Sequence, residues 1–270
     1  MTILVFISIA AIFYAISFAV ANFGKRLISN AGALSTVFAF AGFASQTTAL
    51  GLRAVDVGGL PISTSYELLE FIVWAFVVIQ LATSGYFKTG LVGIFSMLPA
   101  AVLTALPLGC PMFAAAMQDA AKSAPMSLAA IHGVIAAISY AFMAFGAIAS
   151  AMYLTQEHHL RMKSPVGIAN MLPSLQTLER LMTVSLGTAL FTMTISALLG
   201  AIATAQTQIT PLMLLKLATA AVVLMMQGML FISTAAKFVA AKSLARYEIA
   251  LIAVSLLLLI PIELRTVFFQ

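Results

Sequence analysis

Apolar residues in this chain do not alternate with polar ones. They run on in long uninterrupted stretches, and the polar positions gather in short segments between them. The stretches fall at 2–23, 31–52, 66–85, 91–108, 126–154, 178–204, 211–233 and 249–262. Most approach the ~20 residues with which a helix crosses a ~30 Å hydrocarbon core, and the last is the shortest. Strands of an outer-membrane barrel would change character every second residue, and in lipid only helices and closed barrels satisfy their own backbone N–H and C=O groups. The pattern therefore predicts an all-α fold, a polytopic transmembrane helical bundle of about eight spans.

Composition narrows this further. Of the 270 residues, 63% are hydrophobic and 8% are charged, so there is too little polar sequence for a separate water-soluble domain. The longest connections, 109–125 and 155–177, hold one or two helical turns at most. Residues 1–270 are expected to form a single integral membrane domain embedded in the lipid bilayer, with no evident internal repeat.

The charges orient it. A cleaved signal peptide carries its basic residues before the apolar core, whereas Lys25 and Arg26 follow a run of full spanning length. Basic residues of short loops collect on the cytoplasmic side. With both termini outside, the inner segments hold Lys25, Arg26, Lys88, Arg161, Lys163, Arg180, Lys237, Lys242 and Arg246, nine of the thirteen Lys and Arg. The outer side keeps Arg53, Lys122, Lys216 and Arg265 with the acids Asp56, Glu67, Glu70, Asp119 and Glu263. The net charge of +5 is then a feature of topology, and no clustered basic face suggests nucleic acid. The expected location is the inner (cytoplasmic) membrane. One cysteine, Cys110, excludes an intramolecular disulfide, a CxxC pair and a cysteine zinc site.

Chemistry-bearing residues are few. Between the second and third stretches, Gly58, Gly59 and Pro61 shape a tight turn. Thr64 followed by Glu67 gives a capping box at the start of the third helix. Glu70 lies one turn deeper on the same face, where a carboxylate must meet protein, water or a ligand, and Arg53 is a candidate partner. Pro125 suits a first helical turn, and two turns on stands His132. From His132 the helical spacing runs through Ala136, Ser139, Met143, Gly146 and Ser150, a small and polar stripe that should face other helices. An imidazole so placed is either hydrogen-bonded within the bundle or an iron ligand.

His158 and His159 are adjacent, but neighbouring helical side chains diverge by ~100°, and both lie 26 residues beyond His132 or more, which excludes a shared metal. They fit a polar inner helix end. Met112 and Met117 could offer soft ligands in the outer loop. Thr210 and Pro211 cap the seventh stretch, Lys216 can snorkel to the outer interface or serve as a counter-ion, and Gln227 suits an interhelical hydrogen bond. No phosphate loop, zinc motif or paired nucleophile and base occurs, so the chain reads as a non-catalytic accessory protein and not an enzyme.

Three blocks carry a family likeness. They are Gly59-Leu-Pro61 leading to Ser65-Tyr66-Glu67-Leu68; Ile131-His132 with Ser139-Tyr140-Ala141 and Ser150 through Glu157; and Leu172-Pro173-Ser174 through Leu178-Glu179-Arg180. In order and spacing over nearly the whole chain they resemble the cytochrome c assembly membrane protein family, and within it the short HemX-like or YpjD-like branch. The resemblance implies a protein that binds or presents haem near the outer face of the membrane, with His132 matching a haem-iron ligand and Tyr66 and Glu67 matching a tyrosine-glutamate block. Glu70 and Lys216 are added as candidate cofactor contacts. It also implies a cytochrome c assembly partner or, through the HemX-like branch, an early tetrapyrrole-synthesis enzyme.

The chain departs from the haem-presenting members at 203–210, which has neither the tryptophans nor the Trp-Asp ending of their external loop. Its one tryptophan is Trp74, and no histidine follows His159. A second axial ligand would have to come from another chain or another residue type. A reading from a different class is a small-molecule secondary transporter with Glu70, Lys216 and Gln227 along its path.

Overall fold

The computed structural model describes residues 2–24, 30–62, 64–87, 95–109, 127–162, 172–205 and 210–268. These form eight α-helices and no strand: α1 (Thr2–Phe23), α2 (Ala31–Val57), α3 (Ser65–Phe87), α4 (Met97–Gly109), α5 (Leu128–Arg161), α6 (Leu175–Thr204), α7 (Pro211–Ala235) and α8 (Ala241–Phe268). Six of them, α1, α2, α3, α5, α6 and α7, are long and apolar enough to cross a membrane. Lys25, Arg26, Lys88, Lys163, Cys110, Met112, Met117, Asp119, Lys122, Pro125, the segment 206–209 and the side chains of Glu263 and Arg265 lie outside the described residues.

Several helix ends differ from the apolar stretches, each for a local reason. α2 continues past 52 until Gly58, whose left-handed φ of 71° turns the chain while the N–H groups of Gly58 and Gly59 close onto Val55 and Ala54. Arg53 is thereby helical. α4, at 13 residues, covers ~20 Å and is shorter than the 91–108 stretch. α6 starts three residues before 178, because the Ser174 hydroxyl accepts from the Thr177 N–H and caps it. α7 starts as expected, with the Thr210 side chain accepting from the Met213 N–H and Pro211 in the first turn. α8 begins at Ala241, eight residues ahead of the stretch, because Leu244, Ala245, Glu248, Leu251 and Ser255 form one buried face.

The helices gather into two compact units, α1 to α4 and α5 to α8. Within each, the first helix packs against the second and the fourth, and the third against the second and the fourth. The interior of each unit mixes apolar side chains with many small and polar ones. Ser17, Ser35, Gln46, Gln80 and Thr104 are buried in the first, and Ser139, Ser150, Ser185, Ser196, Gln227, Glu248 and Ser255 in the second. Phe40, Val102, Phe191, Leu198, Met229 and Leu257 point outward. An exterior of this kind is what hydrocarbon solvates, and small interior residues let helix backbones approach while hydroxyls bond across. Apolar helices of this length and exterior suggest a membrane protein.

The α1/α2 contact shows how close the approach is. Ser17 and Ser35 exchange hydrogen bonds, each hydroxyl donating to the other's carbonyl at 2.8 and 2.9 Å, and the Ser45 hydroxyl donates to the Phe6 carbonyl at 2.7 Å. In the second unit, the Ser139 hydroxyl of α5 donates to the Ala189 carbonyl of α6 at 2.8 Å.

Candidate functional site

In the first unit, α3 enters through a complete capping box: the Thr64 N–H donates to Glu67 Oε2 at 3.1 Å, and the Glu67 N–H donates to Thr64 Oγ1 at 3.1 Å. The remaining Glu67 oxygen, Oε1, receives Arg53 Nε at 2.6 Å from the last turns of α2. Glu67, and not Glu70, is thus the partner of Arg53. One turn along, Glu70 Oε2 accepts from Gln46 Nε2 at 2.7 Å and Oε1 accepts from the Tyr66 hydroxyl at 3.0 Å. Gln46 in turn accepts from the Tyr14 hydroxyl at 2.8 Å, so a single chain of hydrogen bonds joins α1, α2 and α3. Tyr14, Gln46, Tyr66, Glu67 and Glu70 are all buried.

Beside this network lies a crevice lined by Ile3, Ile7, Ala49, Leu50, Arg53, Tyr66, Glu67 and Glu70. It has room for about one water. Tyr66, Glu67 and Glu70 come together here, and what they do is tie α3 to its neighbours. Sequence reasoning missed Tyr14 and Gln46. The available signal was Gly42 one turn before Gln46: a Cβ there would stand 2.6 Å from Tyr14 Cε1, so only glycine leaves α2 open to the ring.

The second unit repeats that device around the histidine. His132, half-buried in the second turn of α5, lays its ring on α6 with Nδ1 2.6 Å from the Ser196 carbonyl oxygen and 2.9 Å from Ser196 Oγ. The Ser196 hydroxyl also reaches the His132 carbonyl at 3.1 Å. One turn beyond Ser196, a Cβ on Gly200 would fall 2.8 Å from Cε1 and 2.9 Å from Nδ1. Ser196 and Gly200 form a small-x-x-x-small pair that sequence reading passed over. A carbonyl oxygen can only accept, so Nδ1 carries the proton in the neutral ring and the lone pair lies on Nε2. Nε2 has no hydrogen-bond partner among the described residues. Ligating histidines are commonly held in this manner, by a second hydrogen bond from the other ring nitrogen.

Gly200→Ala is expected to drive the imidazole off Ser196. The check is the ring-nitrogen chemical shifts of His132 in isotope-labelled protein: they should move toward those of a freely rotating tautomer mixture, and unchanged shifts would mean that α6 does not hold the ring.

The other sequence candidates stand apart. Lys216 is exposed on α7. Gln227, on the same helix, is fully buried, with neither amide atom hydrogen-bonded among the described residues, so the expected interhelical bond is not found there. His158 and His159 meet edge to face, their centroids 6.2 Å apart, at the end of α5. There Glu157 pairs with Arg161 and with Lys242 of α8. Among the described residues no group of three or more His, Cys, Asp or Glu could hold a bare metal ion. Sequence reasoning also missed Glu248: it lies just before the 249–262 stretch and was not singled out, whereas in the helix it is buried and bonded to Ser150.

No family model, curated protein or solved structure matches this chain.

Proposed function

We propose that this chain is a non-catalytic haem-handling protein of the cytochrome c assembly kind, set in the inner membrane with both termini outside, and that His132 is its axial ligand near the outer face. The observation that carries the reading is the imbalance at the His132 ring, one nitrogen anchored to Ser196 and the other carrying a lone pair without a partner. Porphyrin brings four nitrogens of its own, so a single imidazole suffices to attach the iron at one face. When bound, the haem supplies the iron centre; the protein's part is to fix the tautomer and direction of His132 through Ser196 and Gly200. Tyr66, Glu67, Glu70 and Lys216 enter as elements of the scaffold and the interface. The three sequence blocks quoted above lend the family reading its support, and they extend it to a partner in cytochrome c assembly or in early tetrapyrrole synthesis.

Protein purified gently from haem-replete cells is expected to show a Soret band that disappears in His132→Ala. A Soret band of equal strength in the variant would remove His132 from the reading, and a colourless wild type would remove haem.

Gln227 favours a second reading, a small-molecule transporter, since a buried amide with both ends unpaired could meet a polar solute. In that case proteoliposomes should show solute flux that falls in Gln227→Leu. The hydrogen bonds of Glu70 to Gln46 and Tyr66 leave it less free for such a path.

A further inference from the structure

Unit α5 to α8 encloses a second small crevice, lined by Phe142, Met143, Gly146, Ser185, Leu186, Ala189, Glu248 and Leu251. Its only charged group is Glu248, which is 4% exposed. Glu248 Oε2 accepts from the Ser150 hydroxyl at 2.6 Å, whereas Oε1 has no hydrogen-bond partner among the described residues. The Ser185 hydroxyl donates to the Met182 carbonyl at 2.8 Å. The Ser185 proton is therefore committed to a backbone carbonyl, and with Glu248 ionised both polar side chains lining the crevice offer it acceptors. Gly146 keeps the space open: a Cβ at that position would sit 2.7 Å from Ser185 Oγ and 3.2 Å from Glu248 Oε2. No lysine or arginine lines the crevice. Arg246 is exposed, and Lys242 is engaged with Glu157.

A carboxyl enclosed in this way either takes up a proton or pairs with a cation. An anion is repelled, and a neutral solute larger than a water has no room. We propose that this crevice is a binding site for one dehydrated Na⁺-sized monovalent cation, coordinated by Glu248 and Ser185 at the open face of Gly146, with Ser150 holding Glu248 from behind. Hard oxygen ligands and the small enclosure favour Na⁺ over the larger K⁺. The site is independent of haem: it uses none of the residues around His132, and its occupation neutralises α8 where α8 meets α5.

The test is direct binding of ²²Na⁺ to purified full-length protein in detergent, with thermal unfolding in NaCl, KCl and N-methylglucamine chloride at equal ionic strength. Wild type is expected to bind Na⁺ saturably with about one site per chain and to unfold at a higher temperature in NaCl than in the other two salts. Glu248→Gln, which keeps the shape and removes the charge, should lose both effects while its behaviour in N-methylglucamine matches or exceeds that of wild type. Ser185→Ala, a milder change, should weaken Na⁺ binding about tenfold or more. Absence of ²²Na⁺ binding to wild type, which is the result a protonated Glu248 gives, or Na⁺ binding that persists unchanged in Glu248→Gln, overturns the proposal.

Discussion

Glu70→Ala is expected to destabilise the α1 to α4 unit by about 2–5 kcal/mol, the scale on which two buried neutral donors losing their acceptor are felt. The magnitude follows from what the carboxylate holds. It accepts from Gln46 and Tyr66, and through Gln46 it fixes the hydroxyl of Tyr14. Its removal takes the carboxylate acceptor from both the Gln46 amide and the Tyr66 phenol, a loss of about 1–3 kcal/mol each at most, while Gln46 Nε2 keeps the longer bond to the backbone carbonyl of residue 70 at 3.3 Å. Glu70→Gln should cost less, because one oxygen survives, yet its new NH₂ group faces donors where an acceptor stood. Unfolding by SDS in mixed micelles, followed by helicity, measures both. A Glu70→Ala protein as resistant as wild type would show that the network does not hold α3.

The second large effect concerns Gly42. A methyl group there would fall 2.6 and 2.7 Å from two carbons of the Tyr14 ring and 3.2 Å from the Ala10 carbonyl oxygen. Tyr14 is fully buried and tied to Gln46, so it has no vacant place to go. Gly42→Ala should cost about 1–3 kcal/mol by overpacking, even though alanine is the better helix former by about 1 kcal/mol. The same micelle assay applies. Gly42→Ala combined with Tyr14→Phe should remain destabilised, because the clash is with the ring and not with the hydroxyl. Restoration by Tyr14→Ala would locate the strain at that contact.

What the sequence reveals of this protein is governed by which forces act over short range. Long apolar stretches announce helices, and the caps at Thr64 and Thr210 are legible because a cap depends on neighbours three positions away, whereas the Ser174 cap was passed over. The buried stripe from Ser139 to Ser150 followed from helical period alone and is found facing inward. Pairings between helices were less visible. Arg53 can reach Glu67 or Glu70 equally well on a linear map; the capping of α3 by Thr64 turns Glu67 toward α2 and leaves Glu70 to Gln46. Glu248 was hidden by its surroundings in sequence, for Lys242 and Arg246 make that stretch look like a solvated segment. Only the helix shows that the charges of 242 and 246 leave the face that 244, 245 and 248 bury. The cradle of His132 depends on Ser196 and Gly200, 64 or more residues away, and no local pattern joins them to it.

The paired serines of α1 and α2 carry a consequence for biosynthesis. Ser17 with Ser35, Phe6 with Ser45 and the stacked rings of Phe13 and Phe38 all close within the first 45 residues. A ribosome therefore finishes the material for this hairpin before α3 is made, and the hairpin can zip while later sequence is still in the exit tunnel. Gln46 then waits as the docking hook that Glu70 takes up on arrival, so the order of translation is also an order of assembly.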